Sequence, residues 1–148
     1  MQRFQFRLER VLEWRRKKCR MEENRLAACL DLLRAIEHKI ERLRAERSSI
    51  EGELVKRSAI PAAELLNLEH YRLRANREAS ELAAQRRDRA RSAAEQQARV
   101  QQAQQRVKLL ELMRERRLEE YVALAGRELE TLAAEAYLAR WPHRRRMN

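Results

Sequence analysis

The side chains of this 148-residue chain that most readily signal nucleophilic or transition-metal chemistry are three histidines and two cysteines. His38, His70 and His143 stand apart from one another, and neither an HExxH motif nor a Cys/His metal-ligand spacing joins them. Cys19 and Cys29 are ten residues apart. On one helix that separation is about 15 Å, at about 1.5 Å per residue. A disulfide needs Cα atoms within about 7 Å. The pair therefore reads as small apolar residues in a packing seam, not as nucleophiles, and the chain reads as cytosolic. Two glycines, Gly52 and Gly126, cannot form a phosphate-binding loop. No catalytic residue, metal or cofactor is expected, and the chain reads as a non-enzyme.

What remains is charge. The chain carries 34 Lys+Arg against 23 Asp+Glu, a formal net charge of +11. Residues 1–20 have a net charge of +6 and residues 72–117 a net charge of +7, whereas residues 118–139 are at −4. Helical pairs such as Glu13–Lys17, Glu53–Arg57 and Glu95–Arg99 would each contribute about 0.2–0.5 kcal/mol. The blocks Arg15–Lys18 and Arg86–Arg91 exceed what such pairing can neutralise and point to an acidic partner. No helix-turn-helix, zinc or RRM signature accompanies them, so specific nucleic-acid binding is not expected; nonspecific binding at low salt is.

The elements that must carry this charge are helices. Ala, Glu, Lys, Leu and Arg make up 98 of the 148 residues, with only two Gly and two Pro. Such a composition belongs to long helices and coiled coils, and it cannot supply the turns of a sheet. Apolar residues at alternating spacings of three and four form one seam: Leu8, Leu12, Cys19, Leu26, Cys29, Leu33, Ile36, Ile40, Leu43, Ile50 and Leu54. Arg15, Glu22 and Arg47 interrupt it as polar residues. The pattern stops at Ser58-Ala59-Ile60-Pro61, where proline disfavours helix in the residue before it but suits a first turn. Ser58 is the expected cap, with Glu64 at the positive end of the new helix.

A thinner seam follows, through Leu65, Leu68, Ala75, Ala79, Leu82, Ala93, Val100, Ala103, Val107 and Leu110, with Arg72, Arg86, Arg89 and Gln96 at seam positions. Its phase slips after Leu110, and Leu118, Val122, Ala125, Leu129, Leu132 and Ala136 continue it in a shifted register. The expected fold is all-α: a long two-helix antiparallel coiled-coil hairpin whose C-terminal helix overhangs. It forms a single domain over residues 1–141, with helix 2–57, turn 58–61 and helix 62–141, and a flexible basic tail over 142–148. Folding about residues 59–60 puts Leu33 near residue 86 and Leu8 near residue 111. The overhanging Leu118, Val122, Leu124, Leu129 and Leu132 then imply a partner surface. No apolar run reaches the 18 residues of a membrane span. Glu9 and Glu13 interrupt the basic opening, which therefore does not read as a signal peptide.

Both ends resemble a known family. Phe4-x-Phe6-Arg7-Leu8-Glu9-x-Val11-Leu12-x-x-Arg15 is similar to the opening of the flagellar export protein FliJ family, and Leu110–Tyr121 followed by Arg127-Glu128 is a second match. The chain departs from the family at Leu129-Glu130 and Ala134-Glu135, where many members carry a different acidic pattern. The resemblance implies a non-enzymatic stalk or escort component of the flagellar type III protein export apparatus. Its partners would be the hexameric export ATPase, the cytoplasmic domain of the export gate and export chaperones. It would act in the cytoplasm, peripheral to the inner membrane through the export apparatus.

On this resemblance the ATPase would meet Arg7, Arg15, Arg16, Lys17, Lys18, Arg114, Arg116, Arg117, Leu118 and Tyr121. The export gate would meet the stripe Tyr71, Ala75, Glu78 and Leu82. Two other readings stay open: the equivalent stalk of a virulence type III secretion system, and a basic coiled-coil interaction module acting as a chaperone escort or a nonspecific nucleic-acid binder.

Overall fold

The computed structural model describes the backbone of residues 3–145 and the side chains of residues 3–141. Two helices, α1 (Glu9–Val55) and α2 (Ala62–Arg145), make up an all-α helical hairpin, with no strand among the described residues. The chain divides into two compact units. One is Arg20–Gln102, and the other combines Met1–Cys19 with Ala103–Asn148.

In the unit Arg20–Gln102, α1 and α2 run antiparallel, as Glu22 meets Gln96 and Glu37 meets Arg86. The core is a ladder of large residues on α1 against a mixture of small and large ones on α2. Ile36 and Leu43 pack with Ala75 and Leu82, flanked by Ile40, Tyr71 and Ala79. Alanine at these positions lets the helix backbones approach closely, while leucine and isoleucine from α1 fill the gap. Ala93 and Val100 continue the buried line. Every residue of the first seam, from Leu8 to Leu54, is buried or half-buried, including the intruders Arg15, Glu22 and Arg47.

Two of the polar seam residues are matched to each other. Gln96 is buried, and its side-chain amide donates to the Glu22 backbone carbonyl at 3.1 Å and to the Glu22 carboxylate. A slip of α2 by one heptad would strand a buried amide without partners, which costs about 1–3 kcal/mol. This pair therefore fixes register where an all-apolar seam would not. Arg86 stays exposed and reaches Glu37 at 3.4 Å, while Arg72 and Arg89 are exposed.

The connection differs from the expected turn in detail. α1 ends at Val55, with the Arg57 N–H donating to the Leu54 carbonyl at 3.2 Å. The Pro61 carbonyl accepts from the Glu64 and Leu65 N–H groups at 3.1 and 3.2 Å, so Pro61, not Ser58, starts the helical ladder of α2. Arg57 pairs across the turn with Glu64 and not with Glu53. Leu65, expected in the seam, is exposed because α1 has ended before it can cover that position.

Both outer helix bounds also differ. The expected helix 2–57 begins at Glu9, and Gln2 lies outside the described residues. Phe4, Phe6 and Leu8 are half-buried while Arg3, Gln5 and Arg7 are exposed, the period-two pattern of an extended segment. Helical geometry would place Phe4 and Phe6 about 200° apart, and only one could then face α2. At the other end α2 passes Trp141 and Pro142 to reach Arg145. Proline withholds one N–H, but its fixed φ of about −65° is itself helical. Residues 146–148 of the expected tail lie outside the described residues.

The ladder predicts where stability resides. Leu43→Ala should cost about 2–4 kcal/mol through the cavity left between Ala75 and Leu82. Leu65→Ala should stay within about 0.5 kcal/mol. Urea unfolding followed by helical circular dichroism distinguishes the two.

Candidate partner-binding surfaces

In the unit Met1–Cys19 with Ala103–Asn148, the extended segment is laid against α2. The Phe4 ring sits 5.6 Å from that of Tyr121, tilted by 54°. The Glu9 N–H donates to the Phe6 carbonyl at 3.1 Å, and Leu12 donates to Leu8 at 2.9 Å, which turns the segment into α1. Leu12, directly after the turn, is completely buried. Phe4, Phe6, Leu8, Met113, Tyr121 and Leu124 line a groove rimmed by Arg7 and Arg117. The alternation of Phe4, Phe6 and Leu8 was the local signal for this segment, and helix-friendly neighbours such as Arg3 and Arg7 masked it.

Cations of this unit fall into two groups. Arg16 pairs with Glu111, Arg114 with Glu9 and Arg117 with Glu120, each at 3.0 Å. All are substantially exposed, and such pairs contribute about 0–1 kcal/mol, so a partner can exchange them. Arg15 and Lys18 lie over the Trp14 ring, at 4.8 and 4.4 Å from its centroid. Lys17 and Arg116 are exposed, and among the described residues no carboxylate lies within 4.0 Å of either.

Beyond Tyr121 the pattern changes. The face of α2 turned to residues 3–19 continues through Leu110, Arg114 and Tyr121 without the expected slip. The shifted set therefore falls off the covered face. Leu118 is exposed, and Val122, Leu129 and Leu132 are 59%, 56% and 60% exposed. Only Ala125 of that set is half-buried, and all residues from 126 to 141 are exposed. Leu118, Val122, Leu129 and Leu132 nevertheless share one stripe of the helix by their spacing.

In the unit Arg20–Gln102 the stripe carried over from the family resemblance is split. Ala75 and Leu82 are 2% and 6% exposed inside the ladder with Ile36 and Leu43, so they have no surface to offer and are removed from the candidate contacts. Glu78 is exposed on the flank with Lys39, Arg42, Glu46 and Glu81. Tyr71 is half-buried against the ladder, and its hydroxyl is buried without a hydrogen-bond partner. Burial pushes its phenol above the ordinary value of 10.0, assisted by Glu46, Glu78 and Glu51 and opposed by Arg47. Among the described residues no group of His, Cys, Asp and Glu could hold a metal ion.

The family described as "Flagellar FliJ protein" matches residues 4–130. The chain belongs to the FliJ family. The match spans the Phe4–Arg15 opening, all of α1, and α2 as far as Glu130, at the start of its uncovered stretch. No curated relative and no solved structure matches the chain. FliJ membership makes it a non-enzymatic component of flagellar protein export. Among the described residues no helix of this FliJ protein is long and apolar enough to cross a membrane.

Tyr71 gives a pH prediction. A phenol whose folded-state value is raised keeps its proton in the native state after the unfolded state has lost it. Its contribution is therefore complete below about pH 10 and is lost as pH rises through the folded value. Tyr71→Phe should remove that part of the alkaline destabilisation and leave the orphan hydroxyl out of the seam. Tyr71→Phe should melt higher already at neutral pH, and the gap in melting temperature should widen toward about pH 11.

Proposed function

We propose that the chain is a non-catalytic stalk that couples the hexameric export ATPase to the export gate. The unit holding Phe4–Lys18 and Met113–Trp141 engages the ATPase. One observation carries this reading: an apolar stripe of α2, Leu118 to Leu132, is uncovered in the unit that also holds Lys17 and Arg116, which have no carboxylate within 4.0 Å among the described residues. A bare amphipathic helix in a unit with unpaired positive charge fits a partner with an apolar, acid-bordered socket. Arg7, Arg15, Lys17, Lys18 and Arg116 attract that partner. Arg16, Arg114 and Arg117 join by exchanging their present carboxylates for the partner's. The gate meets the flank that carries Tyr71 and Glu78, with the buried Ala75 and Leu82 supporting it from behind. Export chaperones are further candidates for the uncovered stripe.

The protein acts in the cytoplasm, peripheral to the inner membrane through the apparatus. The match to a flagellar family favours the flagellar system over its virulence counterpart.

The test is stimulation of ATP hydrolysis by the cognate export ATPase. Reversal of Arg15, Lys17 and Lys18 to Glu should weaken binding about tenfold or more at about 0.15 M salt. Val122→Asp with Leu129→Asp should abolish stimulation while the hairpin stays folded by circular dichroism. Unchanged stimulation in both variants counts against the reading.

A further inference from the structure

The arginine block Arg86–Arg91 has no part in the stalk reading, and the unit Arg20–Gln102 places it beside a groove. Ala79, Ala83 and Ala90 form the floor on α2, with Ile40 and Leu43 from α1. Their spacing puts the three alanines on one line of the helix, about three turns or 16 Å long. Arg44 and Arg47 of α1 and Arg86 and Arg87 of α2 line the same groove, Arg47 half-buried and the other three exposed. The two acids of the lining are already engaged: Glu37 accepts from Arg86 at 3.4 Å and Glu41 from Arg44 at 3.0 Å. Arg47 and Arg87 have no carboxylate within 4.0 Å among the described residues.

We propose that this groove is a docking site for an acidic amphipathic helix of a partner protein, which adds a third helix to the seam. The methyl floor fixes the shape of the occupant. Small residues let a helix backbone approach to about 8 Å, and a helix laid in a groove reads it at the i, i+3 and i+4 spacing. The lining fixes its charge: four arginines face two glutamates that are already engaged, which favours an occupant that supplies carboxylates. Nucleic acid fits less well. The groove lining has no aromatic ring on which bases could stack. The site is separate from the flank of Glu78, which Lys39, Arg42 and Glu46 line. It is independent of the ATPase reading, since it uses none of those residues.

The experiment measures fluorescence anisotropy with the full chain and a labelled synthetic helix of about 20 residues. The peptide carries leucine at alternating three and four spacing and glutamate at the flanking positions. A second peptide has every glutamate replaced by lysine. A third has the composition of the first in scrambled order.

The glutamate peptide should bind saturably, and the other two should not. Arg47→Glu with Arg87→Glu should weaken binding about tenfold or more, as should Ala83→Phe, which fills the floor without changing charge. Arg99→Glu with Arg106→Glu makes the same change in net charge away from the groove, and it should leave binding within about twofold. Circular dichroism confirms that each variant is folded. Equal weakening by the two charge reversals, unchanged binding by Ala83→Phe, or equal binding of the scrambled peptide would overturn the proposal. So would a single-stranded oligonucleotide that loses affinity for the same variants in the same order.

Discussion

Two helices share one seam, and each can bury only one stripe of its surface in it. That constraint governs the rest of this molecule. It is visible within the unit Arg20–Gln102, where α1 supplies Ile36, Ile40 and Leu43 and α2 supplies Tyr71, Ala75, Ala79 and Leu82. It also explains why a buried amide is tolerated. A narrow apolar ladder offers many near-equivalent registers, and the Gln96–Glu22 hydrogen bonds select one of them. In the unit of the two termini the covering partner is short, so α2 loses its cover just past Tyr121.

The charge of the chain acquires a structure from the same constraint. With one stripe buried, almost every arginine stands in solvent, and its surroundings decide what it can do. Some are used internally. Arg25, Arg34, Arg44, Arg72 and Arg117 pair with an acid three residues away on their own helix, and Arg16, Arg86 and Arg114 bridge to another element. These contacts contribute little stability each. Among the described residues many other cations, including Lys17 and Arg116 in one unit and Arg47 and Arg87 in the other, have no carboxylate within 4.0 Å.

Much of the fold was legible from residue spacing. The seam from Leu8 to Leu54 holds at every position, because a heptad pattern is a direct record of which residues face a partner helix. The turn before Pro61 was legible for a similarly local reason. What escaped depended on contacts distant in sequence. The helix start at Glu9 follows from Phe4 reaching Tyr121, and no helical pattern records that contact. Glu22 and Gln96 appeared separately as faults in two seams, and only the antiparallel pairing makes them partners. The candidate surface was less legible. Ala75 and Leu82 were expected in a partner-facing stripe, yet they are buried in the seam. Leu118 and Val122 carried the opposite ambiguity: they looked like a continued seam and are exposed.

The account depends most on the claim that α2 beyond Ala125 is a helix left open for a partner. An isolated helical stretch without tertiary cover is marginal, so its amides should exchange freely until something packs on the Leu118–Leu132 stripe. Hydrogen exchange of the full chain, alone and with the cognate export ATPase, measures this directly. The account predicts fast exchange over residues 126–141 in the free protein, slow exchange over the Ile36–Leu43 ladder, and new protection over 126–141 in the complex. Protection of that stretch in the free chain, or no change on addition of the ATPase, would contradict it.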